Sequence, residues 1–233
     1  MGTATAGFLA SDSARFELTA TRHRPNLPAE VTAIGSGIVD PAGDRGRMRY
    51  ELFPNDADDS AFAEKPLEIA WTATDYWVRA AQDDSDRAWQ HTTRARAPEQ
   101  MNLIGRVNEE PVALLRMAAA ATPADVRAGA SAELDGRPAE RWLVSVPAEV
   151  ASDNFVPPDT YLGFSQIFGR SDLPLEVWLV AGTVVRIGYV LEREKAPYGG
   201  PDRLETWYDW SGIGGPIELE VPPPGEIEDV GAG

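Results

Sequence analysis

Hydrophobic and polar positions alternate most cleanly over residues 173–193, LPLEVWLVAGTVVRIGYVLER. Leu175, Val177, Leu179 and Ala181 fall in phase on one arm, and Val185, Ile187, Tyr189 and Leu191 on the other. An apolar residue at every second position is the signature of a half-buried strand. Between the arms, Ala181-Gly182-Thr183 provides a glycine for the positive φ of a tight turn. The stretch predicts a β-hairpin, and the rest of the chain reads as sheet added to it or cover laid over it.

The same period recurs upstream. Phe16, Leu18 and Ala20 alternate with Arg15, Glu17 and Thr19, predicting a strand over 15–21. A second, over 30–39, contains Gly35 and Gly37, and glycine inside a strand marks a bend or a close backbone approach. The turn Asp40-Pro41-Ala42-Gly43-Asp44 leads to 47–53, with Met48, Tyr50 and Leu52 on one face and Arg47, Arg49 and Glu51 on the other. After an acidic loop at 54–65, Leu67, Ile69 and Trp71 restart the alternation, 76–80 returns, and 88–93 adds another strand. Asp135-Gly136, a strong hairpin signal, joins strands at 126–134 and 138–146. Later strands fall at 203–210 and 217–221, ahead of a polar tail at 222–233.

Helical signals are fewer. Residues 1–12 read as the end of a helix stopped by Ser11-Asp12-Ser13. Glu109-Glu110-Pro111 followed by VALLRMAAAA and the stop Thr122-Pro123 predicts a central helix. Its apolar stripe is Val112, Leu115 and Ala119, with Leu114 and Met117 beside it. A short third helix is expected at 161–168 within the irregular stretch 147–171. With no internal repeat and no linker, 1–233 reads as one domain. About ten strands in consecutive hairpins plus a few helices predict an α+β fold, a curved antiparallel β-sheet (half-barrel) wrapped around the helices and enclosing apolar space.

Charge narrows the partners. The 37 Asp and Glu against 21 Lys and Arg leave a net charge of −16, which argues against nucleic acid. The absence of cysteine removes disulfides, thiolate nucleophiles and Cys-ligated metals. No run reaches the ~18–20 apolar residues of a membrane span, and the opening lacks the basic region of a signal peptide. Two placements stay open: a cytosolic protein, or an exported one without its leader. The abrupt helical start at Met1-Gly2 favours the second.

Candidate chemistry is sparse. His23 sits between two arginines and His91 in a strand, with no H-E-x-x-H spacing for zinc. Gly163-Phe164-Ser165-Gln166-Ile167 lacks the closing glycine of a nucleophile elbow, and the run from Ser211 to Gly215 lacks the lysine of a phosphate loop. Asp56, Asp58, Asp59 and Asp83, Asp84, Asp86 lack the glycine and terminal glutamate of a calcium loop and read as solvated turns. A carboxylate pair for glycoside hydrolysis stays open in so acidic a chain. Arg45, Arg47 and Arg49 suit either a lipid head group or, preferably, neighbouring carboxylates. The expectation is a protein without cofactor or metal, and not an enzyme. Seven tryptophans, all on predicted strands, serve either core packing or the wall of an apolar cavity.

Several segments in order, GSGIVD with GRMRYELF, LEIAWTATDYWVRA, EEPVALLRMAAA, AELDGRPAERWLVSVP, LPLEVWLVAGTVVRIGYVLE, and ETWYDWSG with PIELEVPPPGEIED, together resemble the LolA-like lipoproteins of actinobacteria, the LppX and LprG type. Through them the chain is similar to lipoprotein carriers and to the sensor domain of RseB-like proteins. The resemblance spans nearly the whole chain. It implies a half-barrel around helices and a hydrophobic cavity that holds the acyl chains of a lipid or lipopeptide ligand outside the cytoplasm, in the cell envelope. Strand and helix phase combined with that arrangement give the expected lining: Met48, Tyr50, Leu52, Ile69, Trp71, Leu114, Leu115, Met117, Val177 and Leu179. The greasy segment Tyr161, Leu162, Phe164, Ile167 and Phe168 is either a helix on the core or a flap over the mouth. Family members carry a leader with a lipidated cysteine. This sequence has none, so a membrane anchor would have to precede it. The alternative is a sensory or protein-interaction module that docks a protein partner through its acidic surface.

Overall fold

The computed structural model of the chain describes residues 1–53, 66–80, 88–97, 111–152, 169–194 and 200–229. The predicted hairpin is present as β10 (Asp172–Val180) and β11 (Thr183–Arg193). Its turn is two residues, Ala181 at φ 50° and Gly182 at φ 78°, the left-handed pair whose twist matches that of the flanking strands. Ala181 therefore lies in the turn and not, as its phase suggested, on the inner face of a strand. One further residue is out of phase. Trp178 pairs with Arg186 but Leu179 pairs with Val184, so a β-bulge inserts one residue and Val184, not Val185, faces the core.

Twelve of the thirteen strands form one path, β13-β6-β5-β4-β3-β2-β1-β12-β11-β10-β9-β7, with β8 paired to β9 alongside. The sheet is curved and unclosed. The first six strands are a meander: β1 (Ala14–His23), β2 (Glu30–Asp40), β3 (Arg45–Leu52), β4 (Leu67–Trp71), β5 (Asp75–Ala80) and β6 (Trp89–Thr93). The second meander runs β9 (Arg137–Pro147), β10, β11 and β12 (Asp202–Ser211). Antiparallel pairing of β1 with β12 joins the two. Along β1 the burial alternates residue by residue, with Phe16, Leu18 and Ala20 inward, which is what the sequence period requires.

Two strands differ from expectation. Residues 126–134 form not one strand but two short ones, β7 (Val126–Ala128) and β8 (Ala132–Leu134), both on β9. Asp135 at φ 53° and Gly136 at φ 73° make the expected turn from β8 into β9. Residues 217–221 are in no strand. Pro216 and Pro222–Pro224, lacking N–H donors, isolate this run from any ladder. The last strand is instead β13 (Ile227–Asp229), inside the predicted polar tail, and it pairs with β6 in parallel.

Helix α1 (Gly2–Leu9) and helix α2 (Ala113–Ala120) lie against each other. Helix α1 also packs on β11, and α2 on β9, β10 and β11. Pro111, Val112, Ala113, Leu114, Leu115, Met117 and Ala118 are all buried, whereas Ala119 is exposed. A helix sunk in a trough is covered on more than one stripe, so the single stripe through Ala119 describes it poorly. The acids Glu109 and Glu110 lie outside the described residues. A third helix, α3 (Ala148–Ser152), follows β9 directly where an irregular loop was expected; the expected helix at 161–168 lies outside the described residues.

Candidate functional site

The inner face of the sheet and the helices share one hydrophobic core. Met48 and Tyr50 on β3 and Ile69 and Trp71 on β4 enter it from the first meander, Val177 and Leu179 on β10 from the second, and Leu114, Leu115 and Met117 from α2. All nine expose 5% or less of their surface. Leu52 ends β3, but its side chain is outside the described residues. Tyr161, Leu162, Phe164, Ile167 and Phe168 also lie outside them, as do Asp56, Asp58, Asp59, Asp83, Asp84 and Asp86.

Side chains close over glycines on the inner face of the sheet. On β2, a Cβ at Gly37 would stand 2.8 Å from the Phe16 ring and 2.9 Å from the Met48 Cα. On β3, Gly46 lies beneath the Trp71 indole, 2.3 Å from Cζ2 to an added Cβ. Glycine at these places makes room for the ring and for the neighbouring strand.

Sequence reasoning missed an aromatic group at the other end of the core. The Phe8 ring meets Trp210 edge-on at 4.7 Å, and Phe16 lies 5.6 Å from Trp210 and 5.9 Å from Tyr208. The signal was available, since Phe16, Tyr208 and Trp210 sit in phase on β1 and β12. The indole N–H groups of Trp71 and Trp210 are buried and meet no acceptor among the described residues, unusual for groups that are nearly always paired.

Ionic contacts tie this core to its rim. Asp44, at φ 48° in the β2–β3 turn, receives Arg94 at 2.8 Å and also Arg116 of α2. Burial raises the Asp44 pKa, but the hydrogen bonds and charges of the two arginines prevail and hold it below 3.8. The helix is thereby fastened to the sheet. Of the arginines considered for a head group, Arg45 pairs with Asp40 at 2.9 Å and Arg47 with Glu68 at 3.3 Å. Both histidines face carboxylates: His23 is 3.0 Å from Glu205, and His91 lies between Asp75 and Asp229.

An open cleft reaches the core. It holds about 500 Å³ between α1, Glu140, Ile213 and the tip of the β10–β11 hairpin, and its floor includes Phe8, Leu179 and Val184. Among the described residues, no group of three or more His, Asp or Glu is placed to hold a metal ion. No helix among them is long and apolar enough to cross a membrane.

At the level of sequence, no family model and no curated protein matches the chain. Solved structures do. LprF from Mycobacterium bovis is similar over 94% of this chain and 93% of its own, at 14% identity and a TM-score of 0.52. The lipoprotein LppX from Mycobacterium tuberculosis covers 93% and 94% at 11% identity and 0.48, and a LolA-superfamily protein from Nitrosomonas europaea 94% and 95% at 9% identity and 0.30. The LprF likeness carries the fold argument. With an unclosed antiparallel sheet curved around a helical layer, the chain shares the fold of LprF.

Proposed function

We propose that the chain binds the apolar part of a lipid or lipidated molecule between the sheet and its helices, outside the cytoplasm, and carries or sequesters it without chemical change. The observation that carries this reading is the asymmetry of the helical layer. Helices α1 and α2 pack on the β9–β11 half of the sheet, while the opposite half brings Met48, Tyr50, Ile69 and Trp71 to the same dry core. An acyl chain would enter along that division, lined by those residues and by Leu114, Leu115, Met117, Val177 and Leu179. The cleft at the α1–hairpin junction is the proposed mouth. Residues 1–233 act as one domain in this reading, held at a membrane by an anchor that precedes it.

Burial alone suffices energetically. At ~25 cal/mol per Å² of apolar area, several hundred Å² of acyl chain gives a gross gain of several kcal/mol before ordering costs. Fold likeness to lipoproteins supports the class of ligand and not its identity. The deciding experiment is native mass spectrometry of the full chain purified from its own host, with organic extraction of co-purifying material. An adduct of defined mass that extracts as a lipid is the expected result. A bare protein that also leaves a fluorescent acyl probe unbound overturns the reading in favour of a protein-docking module.

A further inference from the structure

The parallel strand β13 pairs with β6 through its backbone, and three side chains at or just before it add to the attachment. Ile227 packs against Ala70, Trp77 and Trp89 on the outer face of the sheet, away from the main core. Glu226 is 3.8 Å from Arg79, whose guanidinium lies 4.5 Å from the Trp89 ring centre. Asp229 Oδ1 is 2.6 Å from His91 Nδ1. The other ring nitrogen, Nε2, is 2.9 Å from Asp75 Oδ1 on β5.

That last geometry has a protonation requirement. A neutral imidazole has one N–H and one lone pair, whereas an ionised carboxylate only accepts. With a carboxylate oxygen within hydrogen-bond distance of each ring nitrogen, both bonds form only when His91 carries both protons. Neutral His91 turns a lone pair toward Asp75 or Asp229. Asp75 is fixed by Thr72 and Thr74, the latter at 2.5 Å, so the partner free to withdraw is Asp229. The Trp77 ring stacked on the imidazole at 5.2 Å further favours the cation.

We propose that β13 is a proton-held clasp: it is docked on β6 while His91 is an imidazolium and leaves when His91 becomes neutral. The surrounding charges agree with this. On the β5 side Asp75 and Arg79 stand two residues either side of Trp77, the partner of His91; on the β13 side are Asp229 and Glu226. Arg47 and Arg79 share Glu68 around Trp89, and Arg94, just after β6, is turned to Asp44 and the Thr72 carbonyl. The carboxylates nearest the ring thus outnumber the cations. Partial burial lowers the His91 pKa, but Asp229 and Asp75 outweigh it and hold it above 6.5.

The direction follows from linkage. The docked state has the higher imidazole pKa, so its extra stability is complete below 6.5 and is lost as pH rises to the raised value. Over that interval the docking equilibrium falls by up to about tenfold per pH unit, and above it the equilibrium is flat. Departure uncovers the backbone edge of β6 and the indoles of Trp77 and Trp89, a template for a pairing strand.

The test is NMR of the full chain across this interval, following the His91 ring and the amides of residues 227–229. The β13 amides should move toward random-coil positions with the midpoint of the His91 titration. In Asp229→Asn the amide nitrogen donates to neutral Nδ1, so β13 should stay docked through the same interval. Amides of β13 that do not respond, or that follow a midpoint unrelated to His91, overturn the proposal. So does an Asp229→Asn chain that folds but releases β13 as the wild type does.

Discussion

Asp44 concentrates two unlike contacts in one carboxylate, to Arg94 after β6 and to Arg116 on α2. Because its folded pKa lies below 3.8, the stabilisation it gives is complete above 3.8 and is lost as pH falls through the folded value. Replacing Asp44 by Asn should therefore lower stability at neutral pH and flatten the acid limb of the stability–pH profile, as measured by urea unfolding at successive pH values. An unchanged acid limb would place the acid sensitivity elsewhere. At this scale the inward residues were readable, since Met48, Tyr50, Ile69, Trp71, Val177 and Leu179 follow strand phase. The arginine partners were not readable, because Asp44 and Arg116 are 72 residues apart and meet only through the fold.

Elements are set by local chemistry wherever a turn is short. Asp135-Gly136 and Ala181-Gly182 each impose a left-handed turn, and both hairpins were legible for that reason. Phase was lost where pairing inserted or removed a residue. Val185 became the extra residue of a bulge, and Ile227 to Asp229 formed a strand only because β6 offered an edge, something no local periodicity records. Two glycines separate the physical causes. Gly182 has φ 78° and nothing within 4 Å of an added Cβ, so Gly182→Ala strains only the backbone, by about 1–2 kcal/mol. Gly46 has ordinary backbone but sits under Trp71, so Gly46→Ala should displace the indole at about 1–3 kcal/mol. Urea unfolding should register both. Near-UV circular dichroism should change only for Gly46→Ala, and a matching change in Gly182→Ala would contradict this division.

In the whole molecule the two meanders meet at the β1–β12 seam. Asp202 on β12 has no exposed surface and accepts from Arg22 on β1 at 2.8 Å and Arg193 on β11 at 3.4 Å. At the other end of the seam the Ser13 hydroxyl donates to the Gly215 carbonyl, and the Gly214 amide to the Ser13 carbonyl at 2.9 Å. Asp202→Ala removes the buried carboxylate that two arginines share and should cost about 3 kcal/mol or more in urea unfolding; a loss within 0.5 kcal/mol, typical of surface changes, would exclude the seam role. The half-barrel was legible from hairpins in series. The asymmetric seating of the helices was not, because it depends on which half of the sheet offers the deeper trough.

That seam also sets an order of events in time. Phe16 pairs with Trp210 and Arg22 with Leu204, so the partner of the first strand is made long after it. Until a ribosome has released the region beyond Ser211, β1 has only β2 beside it and one edge unsatisfied. Closing so long a loop is slow relative to local hairpin formation. Until β12 is made, β1 stands as an open edge in the growing chain and the two meanders cannot join.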